Sequence, residues 1–177
     1  MFKMKVKLTV LIILIATFNS ALIADSINLA ISPQFSVAKY KKVAIICRPY
    51  KDLNVAARKF RDTLEIELLK IGFIIIERSH INRIMEEQKF NMTGMVDHSS
   101  VIKLGQIAGA QAIVLFRHKR NHIRYSKFAY IKIIDVNNGV ILIAASWEKS
   151  RKQKNISPSV PAKKVARSIM KKLKKRK

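Results

Sequence analysis

Two histidines four positions apart, His118 and His122, have the spacing that could hold a metal ion, because imidazoles at this spacing share one face of a helix. Four basic residues surround them, and their positive charge disfavours a bound cation. We therefore predict a solvated basic segment without a metal or other cofactor. We predict that these basic residues, Arg117, Lys119, Arg120 and Arg124, form one basic surface that could bind a polyanion.

Other candidates for catalysis are few. Glu86 and Glu87 offer carboxylates for acid–base work, but no partner acid is evident beside them. The single cysteine, Cys47, lies in an apolar run and is expected to be a small buried residue that forms no intrachain disulfide. No glycine-rich phosphate loop follows a strand, and no nucleophile-elbow motif is present. We therefore predict no catalytic residues and no enzymatic activity.

An acid and a base, Glu77 and Arg78, directly follow an isoleucine-rich run. No neighbouring group would prepare either residue for acid–base chemistry. The pattern favours a fixed ion pair at the junction of a strand and a helix, and we predict that Glu77 and Arg78 contribute to a subunit interface.

The chain ends in a cluster of cations on a predicted helix. This cluster could be a solvated tail, a polyanion-binding surface or an amphipathic helix lying on a membrane. Each cation near anionic lipid contributes about 1 kcal/mol, so a reversible electrostatic contact is plausible. The cluster comprises Lys171, Lys172, Lys174, Lys175, Arg176 and Lys177.

The net charge is +24 over 177 residues, which implies attraction to anionic lipid, envelope polymer or nucleic acid. Three lysines, an apolar run and small residues open the chain, as in a secretory signal peptide. Cleavage is expected after Ala24 or Ala21, with an uncleaved N-terminal anchor as the alternative. Because export separates a protein from most nucleic acid, nucleic acid is the partner we expect least.

The elements that position these residues alternate between strands and helices. Short apolar runs predict buried strands at 43–47, 73–76 and 112–116, and alternation predicts another at 127–136 that continues through a two-residue Asn-Gly turn into 140–147. Helical periodicity predicts helices at about 53–71, at 79–90 capped by Ser79, at a short segment capped by Ser99 or Ser100, and from Pro161 onward. We predict an α/β fold with a single mixed β-sheet packed against helices.

Five segments follow from these patterns: a signal peptide (1–24), an N-terminal arm (25–41), an α/β core (42–148), a basic linker (149–160) and a basic C-terminal helix (161–177). The core carries several motifs in a fixed order. They are Lys42-Val-Ala-Ile-Ile46, Glu77-Arg78-Ser79 with the helix from Ile81 to Gln88, Gly94 and Asp97, Leu104-Gly105, Gly109-Ala110-Gln-Ala-Ile-Val114, and the hairpin from Ile131 to Leu142 with its D-V-x-x-G turn.

In their order and spacing these motifs resemble the CsgG family, the curli production assembly/transport component, and its wider superfamily of envelope proteins. The resemblance covers about Lys42 to Ala145. It implies an α/β domain of the periplasm, with peripheral contact to the outer membrane as a further option, that acts through other envelope proteins and without catalysis. A homo-oligomer is implied by the resemblance alone.

The sequence departs from the family pattern in two respects. Family pores carry a lipidated cysteine at the mature N-terminus and insert long amphipathic hairpins into the membrane. This chain has no cysteine at the end of its N-terminal apolar run, and the segments at the two insertion points, 117–127 and 145–161, are short and basic. We therefore expect no pore. The leading prediction is an accessory or assembly protein of the envelope, and the alternative is a secreted basic module that binds anionic lipid or polymer through its C-terminal helix.

Overall fold

The computed structural model describes residues 26–48, 55–88, 98–122, 125–150 and 155–175. Within these residues six strands form one sheet in the order β1-β6-β5-β4-β2-β3, and four helices pack against it. In chain order the elements are β1 (Ser26–Ile31), β2 (Lys42–Arg48), α1 (Val55–Ile71), β3 (Ile74–Ile75), α2 (Arg78–Glu87), α3 (His98–Ile107), β4 (Ala112–His122), β5 (Tyr125–Asp135), β6 (Ile141–Glu148) and α4 (Ser159–Lys174).

The sheet is mixed. Strand β2 pairs in parallel with β3 and with β4, whereas β4, β5, β6 and β1 pair with one another in antiparallel fashion. This confirms the predicted α/β fold with a single mixed sheet. The sequence analysis assigned no strand to the N-terminal arm, but Ser26–Ile31 pairs along its whole length with β6.

Helices cover the two faces of the sheet unequally. Helices α1 and α4 bury one face through a core that reaches β2, β4, β5 and β6. Helices α2 and α3 bury the other face through a smaller core, whose strand residues are Ala44, Ile46, Ile113, Leu115 and Ile134. Because that smaller core stops at Leu115 and Ile134, the outer part of the second face has no helix over it within the described residues.

Helix α1 forms where apolar residues recur at helical spacing, with Phe60, Leu64 and Leu68 fully buried. Gly72 ends it with φ of 103°, a conformation that costs glycine little. The N–H of Gly72 donates to the carbonyl of Leu69, and the N–H of Phe73 donates to the carbonyl of Leu68, which is the Schellman arrangement.

The predicted caps of the next two helices are wrong. Helix α2 begins at Arg78 with extended Glu77 at the N-cap, so Ser79 lies inside the first turn. Helix α3 begins at His98, so Ser99 and Ser100 are also inside it. In each case the helix extends toward the preceding residues, and in α2 the carbonyl of Glu77 already accepts the N–H of Ile81.

Strand β4 is longer than predicted. The basic segment after Phe116 was expected to be a solvated segment outside the strands, but it continues the strand to His122 and pairs with β5. Cross-strand hydrogen bonds satisfy its backbone, which outweighs the cost of placing several cations side by side.

The hairpin between β5 and β6 has a five-residue connection instead of the predicted two-residue turn. Asp135 sets its geometry: its Oδ1 accepts the N–H of Asn137 at 2.8 Å, and its Oδ2 accepts the hydroxyl of Tyr40 at 2.9 Å. Val136 lengthens the connection because its side chain is buried in the smaller core. Gly139 takes φ of 72° before the chain returns.

Candidate functional site

The uncovered part of the sheet carries a row of cations beside a row of aromatic rings. Arg117 and Lys119 of β4 are exposed there, because their side chains alternate with that of His118, which points to the opposite face. On β5, Tyr130 lies opposite Arg117 and Phe128 lies opposite Lys119. We call this surface the basic–aromatic face and define it by Arg117, Lys119, Phe128, Tyr130 and Lys132.

The side chains of β5 form a ladder along the strand. The rings of Phe128 and Tyr130 stack with centroids 6.5 Å apart and planes 14° from parallel. The ammonium of Lys132 lies over the ring of Tyr130, 5.5 Å from its centroid. Tyr130 therefore has a ring beside it and a cation over it, so that the charge of Lys132 meets the electron-rich face of the ring.

Small and polar side chains extend this surface across the next two strands. Ala144 and Ser146 of β6 pair with Lys132 and Tyr130 of β5, and Asn28 of β1 pairs with Ser146. This part of the face is shallow because the side chains are short. Its one acidic residue in the described strands is Glu148, which is exposed at the end of β6 and pairs with Phe128 and Ser26.

The cations of this face have no carboxylate partner among the described residues. The ion pairs among the described residues include those within α1 (Arg61 with Asp62 and Glu65, Lys70 with Glu67) and within α2 (Arg83 with Glu87). None of these pairs involves Arg117, Lys119 or Lys132, so no described carboxylate neutralises the charge of these three side chains.

His118 and His122 cannot form the helix face that their spacing suggested. Both lie on strand β4, where four residues span roughly 13 Å, too far for ligands of one ion. The ring of His118 packs 5.3 Å from that of Phe60, and burial lowers the pKa of His118 to about 4. No group of three His, Cys, Asp or Glu side chains able to hold a metal ion occurs in the described ranges.

Cys47 is buried in the larger core beneath α1. Burial raises the pKa of its thiol to about 12, and the nearby Arg61 guanidinium only partly opposes this. Since the thiolate is the nucleophilic form, Cys47 is a core residue in this environment.

The predicted interface pair lies at the start of α2. Glu77 is the N-cap residue and is exposed, without a side-chain hydrogen bond to the helix end, and Arg78 is half-buried. A shallow depression of about 370 Å³ beside them is lined by Glu77, Ser79, His80 and Arg83. The role of Glu77 and Arg78 at an interface stays a prediction.

The C-terminal cluster lies on the other side of the sheet, on the last turn of α4. Lys171, Lys174 and Lys175 are exposed, and Arg176 and Lys177 lie outside the described residues. The Nζ of Lys172 donates to the carbonyl of Leu29 at 3.0 Å.

This carbonyl belongs to the free edge of β1. The N–H of Ser32 donates to the carbonyl of Leu142, so the backbone N–H and C=O groups of every second residue back from Ser32 point toward β6. Those of Leu29, an intervening residue, point toward the free edge of the sheet. Lys172 therefore covers an exposed strand edge, a position where lysine commonly discourages edge-to-edge pairing.

A groove of about 630 Å³ separates the C-terminal ends of α1 and α4 from the loop after β1. Its polar lining residues are Ser36, Lys70 and Lys174, and the rest are apolar: Pro33, Phe35, Val37, Ala38, Ile71, Met170 and Leu173. With neither a carboxylate nor an imidazole in this lining, the groove lacks the usual general acid–base groups.

The structure thus brings together only part of the predicted basic surface. Arg117 and Lys119 share the basic–aromatic face, but the side chain of Arg120 and all of Arg124 lie outside the described part of the chain. Phe128, Tyr130 and Lys132 were not predicted as site residues. The sequence signal for them is the alternation of β5, which places these three side chains on the face of the sheet opposite the buried ones. Antiparallel pairing with β4 then brings them beside Arg117 and Lys119.

None of the helices in the described ranges is long and apolar enough to cross a membrane.

A family model described as curli production assembly/transport component CsgG matches residues 26–117, more than half of the chain. No curated protein matches the sequence. The fold is similar to that of a PelC dodecamer from Paraburkholderia phytofirmans, with a TM-score of 0.51 and 12% identity over 85% of this chain and 97% of the other. It is also similar to the LpoB C-terminal domain from Salmonella enterica, with a TM-score of 0.52 and 14% identity over 67% of this chain and 87% of the other.

Proposed function

The chain belongs to the CsgG family, and on that premise we propose that it is a non-enzymatic protein of the bacterial cell envelope that assists assembly through contact with other proteins. The observation that carries this proposal is the family match, which spans β1 to the middle of β4. The fold likeness agrees with it, since the chain corresponds to 97% of a PelC subunit.

The environments of Cys47 and His118, which could act as nucleophile and base, favour a role without catalysis. Burial raises the pKa of Cys47 and lowers that of His118, and both side chains pack in the core that anchors α1. Exposed polar residues instead lie on flat or shallow surfaces, which suit contact with a macromolecule.

We further propose that the protein forms a homo-oligomer. The support is the likeness in fold to PelC, a protein whose structure is that of a dodecamer. Glu77 and Arg78 are the proposed interface residues, because they are at a strand–helix junction on the surface.

Export to the periplasm is part of the same proposal, with the first 24 residues as the signal and peripheral contact with the outer membrane as an option. Cell fractionation of the tagged protein tests it. Recovery of a shortened chain in the periplasmic fraction is the expected result, and recovery of the full-length chain in the cytoplasm would contradict it.

The oligomer is tested by light scattering of the purified protein at low and high salt. We expect one discrete mass above that of the monomer at both salt concentrations, because family-type assembly would not depend on screened surface charge alone. A Glu77→Ala, Arg78→Ala variant should shift the mass toward the monomer. A monomer at every salt concentration would end the assembly proposal.

A second function is favoured by the exposed lysines of α4. A basic module that binds anionic lipid or polymer through its C-terminal helix would use Lys171, Lys174 and Lys175. Deleting the tail would also remove Leu173, which packs against the core, so substitution is the better test. Changing these three lysines to glutamine should abolish binding to anionic vesicles while leaving the oligomer intact if this second function holds.

A further inference from the structure

The basic–aromatic face lies in a step of the molecular surface. Helices α2 and α3 cover the same side of the sheet up to Leu115 and Ile134, and they stand about 10 Å above it, the thickness of one helix layer. Beyond them none of the described helices covers the sheet across β5, β6 and β1. A flat bilayer would meet the helix layer first, whereas an extended chain can lie in the step against the strands.

The charge of this step selects an anionic ligand. Arg117 and Lys119 are about 6.7 Å apart along β4, at the strand repeat of two residues. Lys132, whose ammonium lies over the ring of Tyr130, adds a third cation. A partner with regularly spaced carboxylates would complement these groups.

The aromatic ladder distinguishes between kinds of anionic chain. Single-stranded nucleic acids gain affinity when bases stack on open ring faces. Here Phe128 lies beside Tyr130 at 6.5 Å and Lys132 lies over the same ring, so Tyr130 offers little open face. Tyrosine and arginine are the residue types that protein interfaces enrich and that most often dominate their energy. Arg117 and Tyr130 are direct cross-strand neighbours at the centre of this face.

We propose that the basic–aromatic face is a docking site for an acidic, extended segment of another protein. Carboxylates of that segment pair with Arg117, Lys119 and Lys132, and its backbone lies over the short side chains of β6 and β1. The side chains of Ser146 and Asn28 have both a donor and an acceptor to offer, as peptide groups do. This inference rests on the proposed function, because it names a chemical class for the protein partner.

The test is fluorescence anisotropy with a labelled 16-residue peptide of repeating Glu-Gly, added to the purified protein at two salt concentrations. The test variant is Arg117→Glu, Lys119→Glu. The matched control is Lys163→Glu, Arg167→Glu, which makes the same change in net charge on the exposed side of α4. We expect the test variant to bind at least about tenfold more weakly and the control to remain within about twofold.

A second variant separates the ladder from the charge. Tyr130→Leu keeps every cation but removes the ring, and it should weaken binding of the peptide by about fivefold. Lys132→Gln should cause a similar loss of affinity. Thermal melting of each variant shows that it is folded. Equal weakening by the test and control variants would overturn the proposal, because net charge alone would then explain binding.

Competitors decide the class of ligand. Polygalacturonate, a single-stranded oligonucleotide and anionic vesicles are each offered at matched charge concentration. Tighter binding of any of them through Arg117 and Lys119 than of the peptide overturns the assignment to an acidic protein segment. Weaker binding of all three supports it.

Two separate measurements report on assembly and on docking. The mass of the test variant by light scattering reports assembly, and the peptide titration reports docking. An oligomer that does not bind the peptide refutes the docking site and leaves the assembly role in place. A monomer that binds the peptide through Arg117 refutes assembly and retains the site.

Discussion

Replacing Gly105 with alanine should destabilise the protein although alanine is the better helix former. Gly105 lies in α3 where the helix packs closely on the sheet. A Cβ at this position would lie 2.6 and 2.7 Å from the side-chain carbons of Ile113 and 2.8 Å from Cγ1 of Val136. Both neighbours are buried, Ile113 fully, so neither can move into solvent.

The magnitude follows from two opposing effects. Overpacking of a buried site costs typically about 1–3 kcal/mol, and contacts on two sides place Gly105→Ala near the upper end. Alanine regains about 1 kcal/mol of helix propensity. The net loss in the free energy of unfolding is therefore about 2 kcal/mol, which lowers Tm by about 4–8 °C for a domain of this size.

The assay is thermal and urea unfolding of four proteins: the original chain, Gly105→Ala, Ile113→Val and the double variant. Ile113→Val removes Cδ1, the atom nearest the added methyl group. Alone it should cost about 0.5–1.5 kcal/mol through a small cavity. In the Gly105→Ala background it should cost less or restore stability, because it opens room for the new Cβ.

The reasoning would be refuted by a Gly105→Ala variant that melts at or above the original Tm. Strict additivity of the two substitutions would also refute it, since residues that compete for the same space must couple.

Four further predictions concern buried groups and one strand edge. Cys47, whose pKa burial raises to about 12, should react with a thiol reagent at pH 8 at least about a hundredfold more slowly in the native protein than in denaturant, and equal rates would show that the thiol is accessible. His118 has a native pKa of about 4 against about 6.5 when unfolded, so its stabilising contribution is complete above pH 6.5 and is lost as the pH falls toward 4. His118→Gln should accordingly flatten the dependence of Tm on pH between 7 and 5, and an unchanged slope would contradict burial as the cause. Tyr40→Phe leaves the buried carboxylate of Asp135 without its hydroxyl partner and should cost about 1–3 kcal/mol by urea unfolding, with no loss expected if that hydrogen bond is absent in solution. Lys172→Met keeps the side-chain stem but removes the donor to the free edge of β1, so Tm should change little while turbidity on warming develops faster, and an unchanged aggregation rate would argue against edge protection.

Periodicity predicted the elements well where one face of an element is buried. The buried stripe of α1 and the alternation of Ala129, Ile131 and Ile133 in β5 both follow from side-chain direction, which the local sequence carries. Helix starts were predicted less well. The serines at 79, 99 and 100 are good caps in isolation, but each helix begins before them.

The short helix α3 shows the limit of this pattern. Helical spacing predicts that Val101, Leu104, Ile107 and Ala108 face the core. Val101, Leu104 and Ala108, the residue directly after the helix, are buried, whereas Ile107 is exposed. Ile107 lies roughly 100° around the helix from the middle of that face at 3.6 residues per turn. Gly105 lies on the opposite border of the buried face, next to Val101, where the absence of a side chain lets the helix approach Ile113.

Strand β1 was not predicted although its sequence alternates. Ile27, Leu29 and Ile31 alternate with the polar or small residues Ser26, Asn28 and Ala30, and the segment pairs with β6. An edge strand needs little burial of its own, so its formation depends on a partner that is distant in the sequence.

By itself, the sequence determined the α/β class, the positions of most helices and strands, the large positive charge and the family resemblance. These properties depend on composition and on periodicity within a few residues. The tertiary structure decided that the basic segment of β4 is a strand, that Arg117 and Lys119 lie beside Phe128, Tyr130 and Lys132, and that Lys172 covers the edge of β1. These relations depend on strand order and register, which are set by long-range packing of the whole chain and are not encoded in any local pattern.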